Sequence, residues 1–211
     1  MNIYEAINSR RTIRDFEDKQ IEMSIIEKII DAGLKAPTTD HLRQWEFVVI
    51  NDKSKRAEIL KFIPETYTKA FTNEWLDSWG SVDNLQREMY LDAVPKQYAM
   101  LHNAGCLILP FFRYDNPVLK PDLLSSLYSL NGLAAMWCCI ENILLASAAE
   151  GIFGVTKIPA NNESEHIKSI IKHPDDYIMP CYIALGYPIK NAAMPKQKEV
   201  SAKEKIHVDT W

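Results

Sequence analysis

Residues 132–154 read GLAAMWCCIENILLASAAEGIFG. Leu133, Met136, Trp137, Ile140, Ile143 and Leu144 leave this segment apolar on nearly every side of a helical wheel. A helix without a polar face needs neighbours all round. The pattern extends upstream through Leu130, Leu127, Leu124 and Leu123 to an opening Pro121, and it stops near Glu150, with Gly151 as the terminator. Glu141 and Asn142 lie in its middle and argue against a membrane span, because ionisable groups at a bilayer centre are costly. Two arrangements supply the neighbours: a central place within one subunit, or a second subunit laid along the helix.

The flanking sequence alternates helix and strand signals. Downstream, Phe153–Thr156 reads as a strand, 161–172 as a helix and Asp176–Gly186 as a last strand. Upstream, GCLILPFF (Gly105–Phe112) reads as a buried strand interrupted by Pro110. Residues 2–9 suggest a short helix with Ile3, Ala6 and Ile7 inward. Residues 24–35 suggest a stronger one, with Ser24 and Glu27 at capping-box spacing and Ala36-Pro37 as its end. EFVVI (Glu46–Ile50) reads as a strand, and 53–62 as a helix. Residues 64–100 hold Tyr67, Trp75, Trp79, Tyr90 and Tyr98 among many charges. They read either as lid-like helices over a cleft or as surface helices with aromatic anchors. No repeat or linker interrupts the chain, so residues 1–211 read as one domain.

Composition narrows the function. The chain is 47% hydrophobic and 25% charged, with a net charge of −4. A general nucleic-acid binder would be basic. With 7 Gly, neither a P-loop nor a dinucleotide fingerprint can be written. There is no HExxH and no GxSxG, and the five His show no metal spacing. The four Cys form no CxxC pair and lie in apolar stretches, which predicts buried, reduced thiols and a cytoplasmic protein. MNIYEAINSRR lacks the apolar core of a signal peptide.

Any bound phosphate must therefore meet side-chain cations. Three of the seven Arg fall within five residues, Arg10, Arg11 and Arg14, with Thr12 between them. Guanidinium forks bind phosphate bidentately; the alternative is a solvated basic turn paired with Asp15, Glu17 or Asp18. A second feature is the polar turn Ala36-Pro37-Thr38-Thr39-Asp40-His41-Leu42-Arg43, between a helix and a strand, where ligand pockets often form. The third is Pro195-Lys196-Gln197-Lys198, whose alternating Lys share one side if extended. It lies in a tail, Tyr187–Trp211, that would fray unless docked.

These features together resemble the FMN-dependent nitroreductase family. SRRTIRDF looks like its RRS-x-R-x-F start, and APTTDHLRQWEF looks like its AP-S-x-x-N-x-Q-P-W-x-F turn. ENILLASAAEGIFG is similar to N-L-L-L-A-A-x-x-x-G-L-G, and ALGYP to L-G-Y-P. The order agrees from residue 3 to about residue 198.

The resemblance implies an α+β fold, with helices around a mixed, mostly antiparallel sheet, and an interlocked homodimer with an exchanged C-terminal tail. Residues 187–211 would dock on the partner subunit. FMN would be the cofactor. Arg10, Arg11, Thr12 and Arg14 would hold its phosphate and ribityl chain, and Lys196 and Lys198 would complete the phosphate site. Pro37, Thr38, Thr39 and His41 would line the isoalloxazine, and Gly154, Val155 and Thr156 would meet the flavin edge. His41 and Arg43 replace the family's Asn and Gln, and would favour anionic groups beside the flavin.

The implied activity is an FMN-dependent NAD(P)H oxidoreductase that passes hydride in a ping-pong cycle to a nitroaromatic, quinone or enone. FMN carries the chemistry, so no catalytic side chain is assigned. The alternative is a flavin-binding storage or sensing protein without turnover. The partners expected are a second copy and a small-molecule electron acceptor, with no metal, nucleic acid or membrane.

Overall fold

The computed structural model describes residues 1–38, 41–114 and 130–211. Thr39 lies outside the described residues, as does the upstream part of the expected long helix, with Leu123, Leu124 and Leu127.

Five strands form one sheet: β1 (Trp45–Ile50), β2 (Cys106–Arg113), β3 (Phe153–Lys157), β4 (Tyr177–Ile178) and β5 (Tyr182–Gly186). The path runs β1-β2-β5-β3, with β4 also on β2. Every pairing among these strands is antiparallel. The strand expected over Asp176–Gly186 is split in two. Its halves pair with β2 at 112–113 and at 106–108, and Pro110 of β2 falls in the gap between them. A missing proline N–H is tolerated there because the ladder is already interrupted.

Both faces of the sheet are buried, which is why β2 reads as an unbroken apolar run. Strand side chains alternate between faces. Cys106 and Ile108, with Cys181, Ile183 and Leu185, pack towards α2 (Met23–Gly33) and α7 (Asn131–Ala149). Leu107, Leu109 and Phe111, with Tyr182 and Ala184, face the side of α3 (Lys53–Ile59), α6 (Gln97–His102) and α8 (Asn161–Ile171). On the first side, α2 and α7 approach closely at Gly33, where a Cβ would sit 2.7 Å from Ile143 Cγ1.

Several local expectations change. In α1 (Ile3–Ser9) only Ala6 is buried, while Ile3 and Ile7 are exposed, because one short helix laid on α7 covers a narrow stripe. The capping box forms at Asn2 and Glu5 of α1; α2 starts after Glu22 with no side-chain cap. Cys138 is exposed, whereas Cys106, Cys139 and Cys181 are buried as expected. All four are free thiols.

By length and apolarity α7 would pass for a membrane-crossing helix. It packs on α2 through Cys139 and Ile143, and its Asn142 donates to the Ala32 carbonyl at 3.4 Å. Glu141 and Cys138 face outward.

Residues 64–100 do form helices. These are α4 (Lys69–Ser78) and α5 (Asn84–Ala93), followed by a tight turn at Val94–Lys96 and then α6. Trp75, Trp79 and Tyr90 cluster between α4 and α5, with ring centroids 3.9–5.7 Å apart.

Candidate functional site

One backbone crossing builds the site. The chain leaves α1 at Arg10 in an extended conformation and runs beside β3. Thr12 forms a parallel bridge with Gly154, and the Ile13 N–H donates to the Gly154 carbonyl at 3.3 Å. The Ile13 side chain is buried, which anchors the segment from below.

Arg10, Arg11 and Thr12 thereby share one cavity of about 220 Å³ with Gly154, Val155 and Thr156. Its other wall is α7, through Trp137, Ile140, Glu141 and Leu144. Their i, i+3, i+4, i+7 spacing makes a single helical stripe. Arg10 Nε stands 3.4 Å from Glu141 Oε1. Arg11 donates to the Arg10 carbonyl at 2.7 Å.

The remaining expected residues lie elsewhere. Arg14 turns away from the cavity towards α5, with one guanidinium nitrogen 3.4 Å from Asp92 Oδ2 and another 3.6 Å from Met89 Sδ. Burial lowers its pKa, against the pull of Asp92 and Asp15. Lys96 sits between these two carboxylates, 2.7 Å from each; burial alone would lower its pKa, but together they raise it. Lys196 Nζ is 3.8 Å from Glu88, and Lys198 Nζ is 2.9 Å from Asp83. Within one chain, then, the Arg10–Thr12 and Lys196–Lys198 groups do not converge.

The described residues of the 37–43 turn are separate too. Pro37 and His41 are exposed, and Thr38 is half-buried. His41 and Arg43 both have positive φ, 58° and 47°. Non-glycine residues seldom adopt that region. Arg43 braces the turn, its Nε donating to the Leu34 carbonyl at 3.1 Å and another nitrogen to the His41 carbonyl at 3.4 Å. Two of its guanidinium nitrogens are thus engaged by backbone. Thr38 and Arg43 line a second pocket of about 60 Å³ with Trp45 and Phe112.

The donor set fits FMN. The cavity joins two guanidinium groups to an apolar helix face. Outside this cavity, Arg14 Nε and Thr38 Oγ1 are enclosed with no hydrogen-bond partner among the described residues, which is costly for buried polar atoms. Glu141 is the one group there that repels phosphate, and Arg10 offsets it.

The α7 stripe is a site wall that lies outside the expected cofactor residues. Its spacing from Trp137 to Leu144 was the available signal. Asp92 carried no signal, since its tie to Arg14 spans 78 residues.

An antiparallel sheet between helical layers, with a cationic segment laid on β3, defines an α+β protein. The chain belongs to the Nitroreductase family, whose model matches residues 7–187. It is 23% identical over 209 residues to an iodotyrosine deiodinase of Haliscomenobacter hydrossis, covering 97% of this chain and 86% of that one. Among solved structures, it resembles an oxidised iodotyrosine deiodinase bound to FMN and 3-iodo-L-tyrosine. The TM-score is 0.72, with 16% identity and full coverage of both chains. It also resembles an NADPH:FMN oxidoreductase from Vibrio harveyi in complex with NAD+. There the TM-score is 0.71 with 20% identity, covering 100% of this chain and 78% of that one.

Proposed function

We propose that the chain binds FMN and acts as a cytoplasmic NAD(P)H oxidoreductase towards a small organic acceptor. The observation that carries this reading is the meeting of Arg10, Arg11 and Thr12 with Gly154–Thr156 and the α7 stripe in one cavity, in a chain of this family.

Arg10 and Arg11 would hold the phosphate, and the Thr12 hydroxyl would hydrogen-bond the ribityl chain. Arg14, Lys196 and Lys198 would add charge after moving off their present partners. Backbone groups of Gly154, Val155 and Thr156 would border the flavin edge. Bound FMN would supply the electron transfer, so no side-chain acid or base is assigned.

A cavity of about 220 Å³ is small for a drug-sized ligand, whose pocket is typically about 300–1,000 Å³. Of the turn residues described, Pro37, Thr38 and His41 line none of it. Both facts favour a site completed across a homodimer, with that turn supplied by a second copy. The half-covered α7 and the exposed Ile3, Ile7, Val208 and Trp211 are apolar surface for such an interface.

The acceptor class is a nitroaromatic, quinone or enone, and the deiodinase relatives add halogenated phenols. The test is a visible spectrum of purified protein before and after anaerobic NADH and NADPH, followed by an acceptor panel. Bleaching of bound FMN, and its recovery with one acceptor class, is the expected result. A protein that stays colourless with added FMN overturns the reading. FMN bound but never bleached by either nucleotide makes this a storage or sensing protein instead. Light scattering tests the dimer.

A further inference from the structure

Three cations assigned above to the phosphate come from opposite ends of the chain, yet all face carboxylates of one short helix and its cap. Arg14 faces Asp92, Lys196 faces Glu88 and Lys198 faces Asp83. A groove of about 200 Å³ runs between α5 and the tail, lined by Glu88, Met89, Asp92 and Met194–Lys196.

The Arg14 contact is the informative one. Its side chain is only 8% exposed, but it meets Asp92 at 3.4 Å through a single nitrogen. The second Asp92 oxygen is taken by Lys96 at 2.7 Å, and Lys96 also holds Asp15. Arg14 Nε has no acceptor among the described residues. A guanidinium is best satisfied by a bidentate oxyanion, and Asp92, shared with Lys96, meets Arg14 through one oxygen at 3.4 Å.

We propose that α5 is a built-in competitor for the FMN phosphate: Asp92 and Glu88 hold Arg14 and Lys196, and a phosphate ester must displace them to bind. This rests on the FMN reading above. The Lys196–Glu88 pair is largely exposed, and such pairs hold weakly. Arg14–Asp92 is the main restraint. Exchange at Arg14 would also loosen α5 and its Tyr90 contact with Trp75 and Trp79 of α4 and its cap, so phosphate occupancy is linked to the segment covering this side of the molecule.

The sign of the effect separates competition from simple support. The full-length protein, stripped of flavin, is titrated with FMN and with riboflavin, which lacks the phosphate. Asp92→Asn is expected to tighten FMN binding about tenfold, a coupling of ordinary size. Glu88→Gln, at an exposed position that spares the fold, is expected to tighten it about twofold. Riboflavin affinity should stay within about twofold in both, since the competition acts only on the phosphate. FMN binding that is weaker or unchanged in both variants overturns the proposal. So does riboflavin binding that tightens in parallel. If the wild-type chain binds neither flavin, the FMN reading itself falls, and this inference with it.

Discussion

Thr12 and Gly154 face each other in a parallel bridge between the segment leaving α1 and β3, the only parallel pairing among the described residues. The bridge carries Arg10 and Arg11 onto the end of the sheet, opposite α7.

Gly154 is the weak point of that crossing. A Cβ there would lie 2.5 Å from Leu185 Cδ2 and 2.6 Å from the Ala184 carbonyl. The carbonyl belongs to the β3–β5 ladder and cannot swing away. Gly154→Ala is therefore expected to cost about 1–3 kcal/mol, an overpacking penalty. Thermal unfolding would show it as a fall of several degrees, accompanied by weaker FMN retention.

Arg10 and Arg14 should behave differently when truncated. Arg10 is partly exposed and pairs with exposed Glu141, so Arg10→Ala is expected to leave flavin-free stability nearly unchanged. It should weaken FMN binding about 10- to 100-fold, as loss of a charged phosphate contact implies. Arg14→Ala removes a buried partner of Asp92 and should lower the flavin-free melting temperature as well. Equal losses in flavin-free and flavin-loaded protein for Arg10→Ala would make the cluster a structural turn.

A buried ion pair locks the far end of β3. Lys157 Nζ lies 2.8 and 2.7 Å from the two Glu163 carboxylate oxygens, and the Tyr182 hydroxyl donates to the same carboxylate at 3.2 Å. Glu163→Gln would leave the Lys157 charge buried without a counterion, at a cost of about 3–5 kcal/mol. Lys157→Met combined with Glu163→Gln should recover much of that loss. Denaturant melts of the three variants form a double-mutant cycle.

The buried thiols predict alkaline sensitivity. Burial pushes Cys106, Cys139 and Cys181 up to about 12, from an ordinary value of 9.0. Burial, with Glu163 beside it, also raises Tyr182. A raised folded-state pKa means that the unfolded chain loses its protons first as pH rises. Stability is then intact below about pH 9 and declines towards pH 12. Melting temperatures followed across that range test this. At pH 8 only about one buried thiol in 10,000 is ionised, so these three should resist alkylation until the protein unfolds.

Much of the fold was legible in the sequence because burial leaves periodic traces. β1, β2, β3, α2, α3 and α8 all lie where their apolar spacing put them. The misses have local causes. Ile3 and Ile7 carry a core-like pattern on a helix that a single chain leaves uncovered. Asp176–Gly186 reads as one strand, and only the pairing with β2 shows the break at 179–181. Nothing in the sequence marks Arg56 of α3 as a buried residue. Its guanidinium is buried and donates to the carbonyls of Ile50 and His102 at 2.8 and 3.0 Å, and also to Ala104.

The residue types and local spacing already held the family resemblance and the cation inventory, and the mostly antiparallel sheet followed only as what that resemblance implies. Short-range periodicity and motif order are properties of the chain itself. Which cations share a cavity was decided by the tertiary structure alone. Arg10 and Arg14 are four residues apart, but the extended segment between them sends one to Glu141 on α7 and the other to Asp92 on α5. Charge is visible in a sequence; the counterion that holds it is set by packing between segments far apart in the chain.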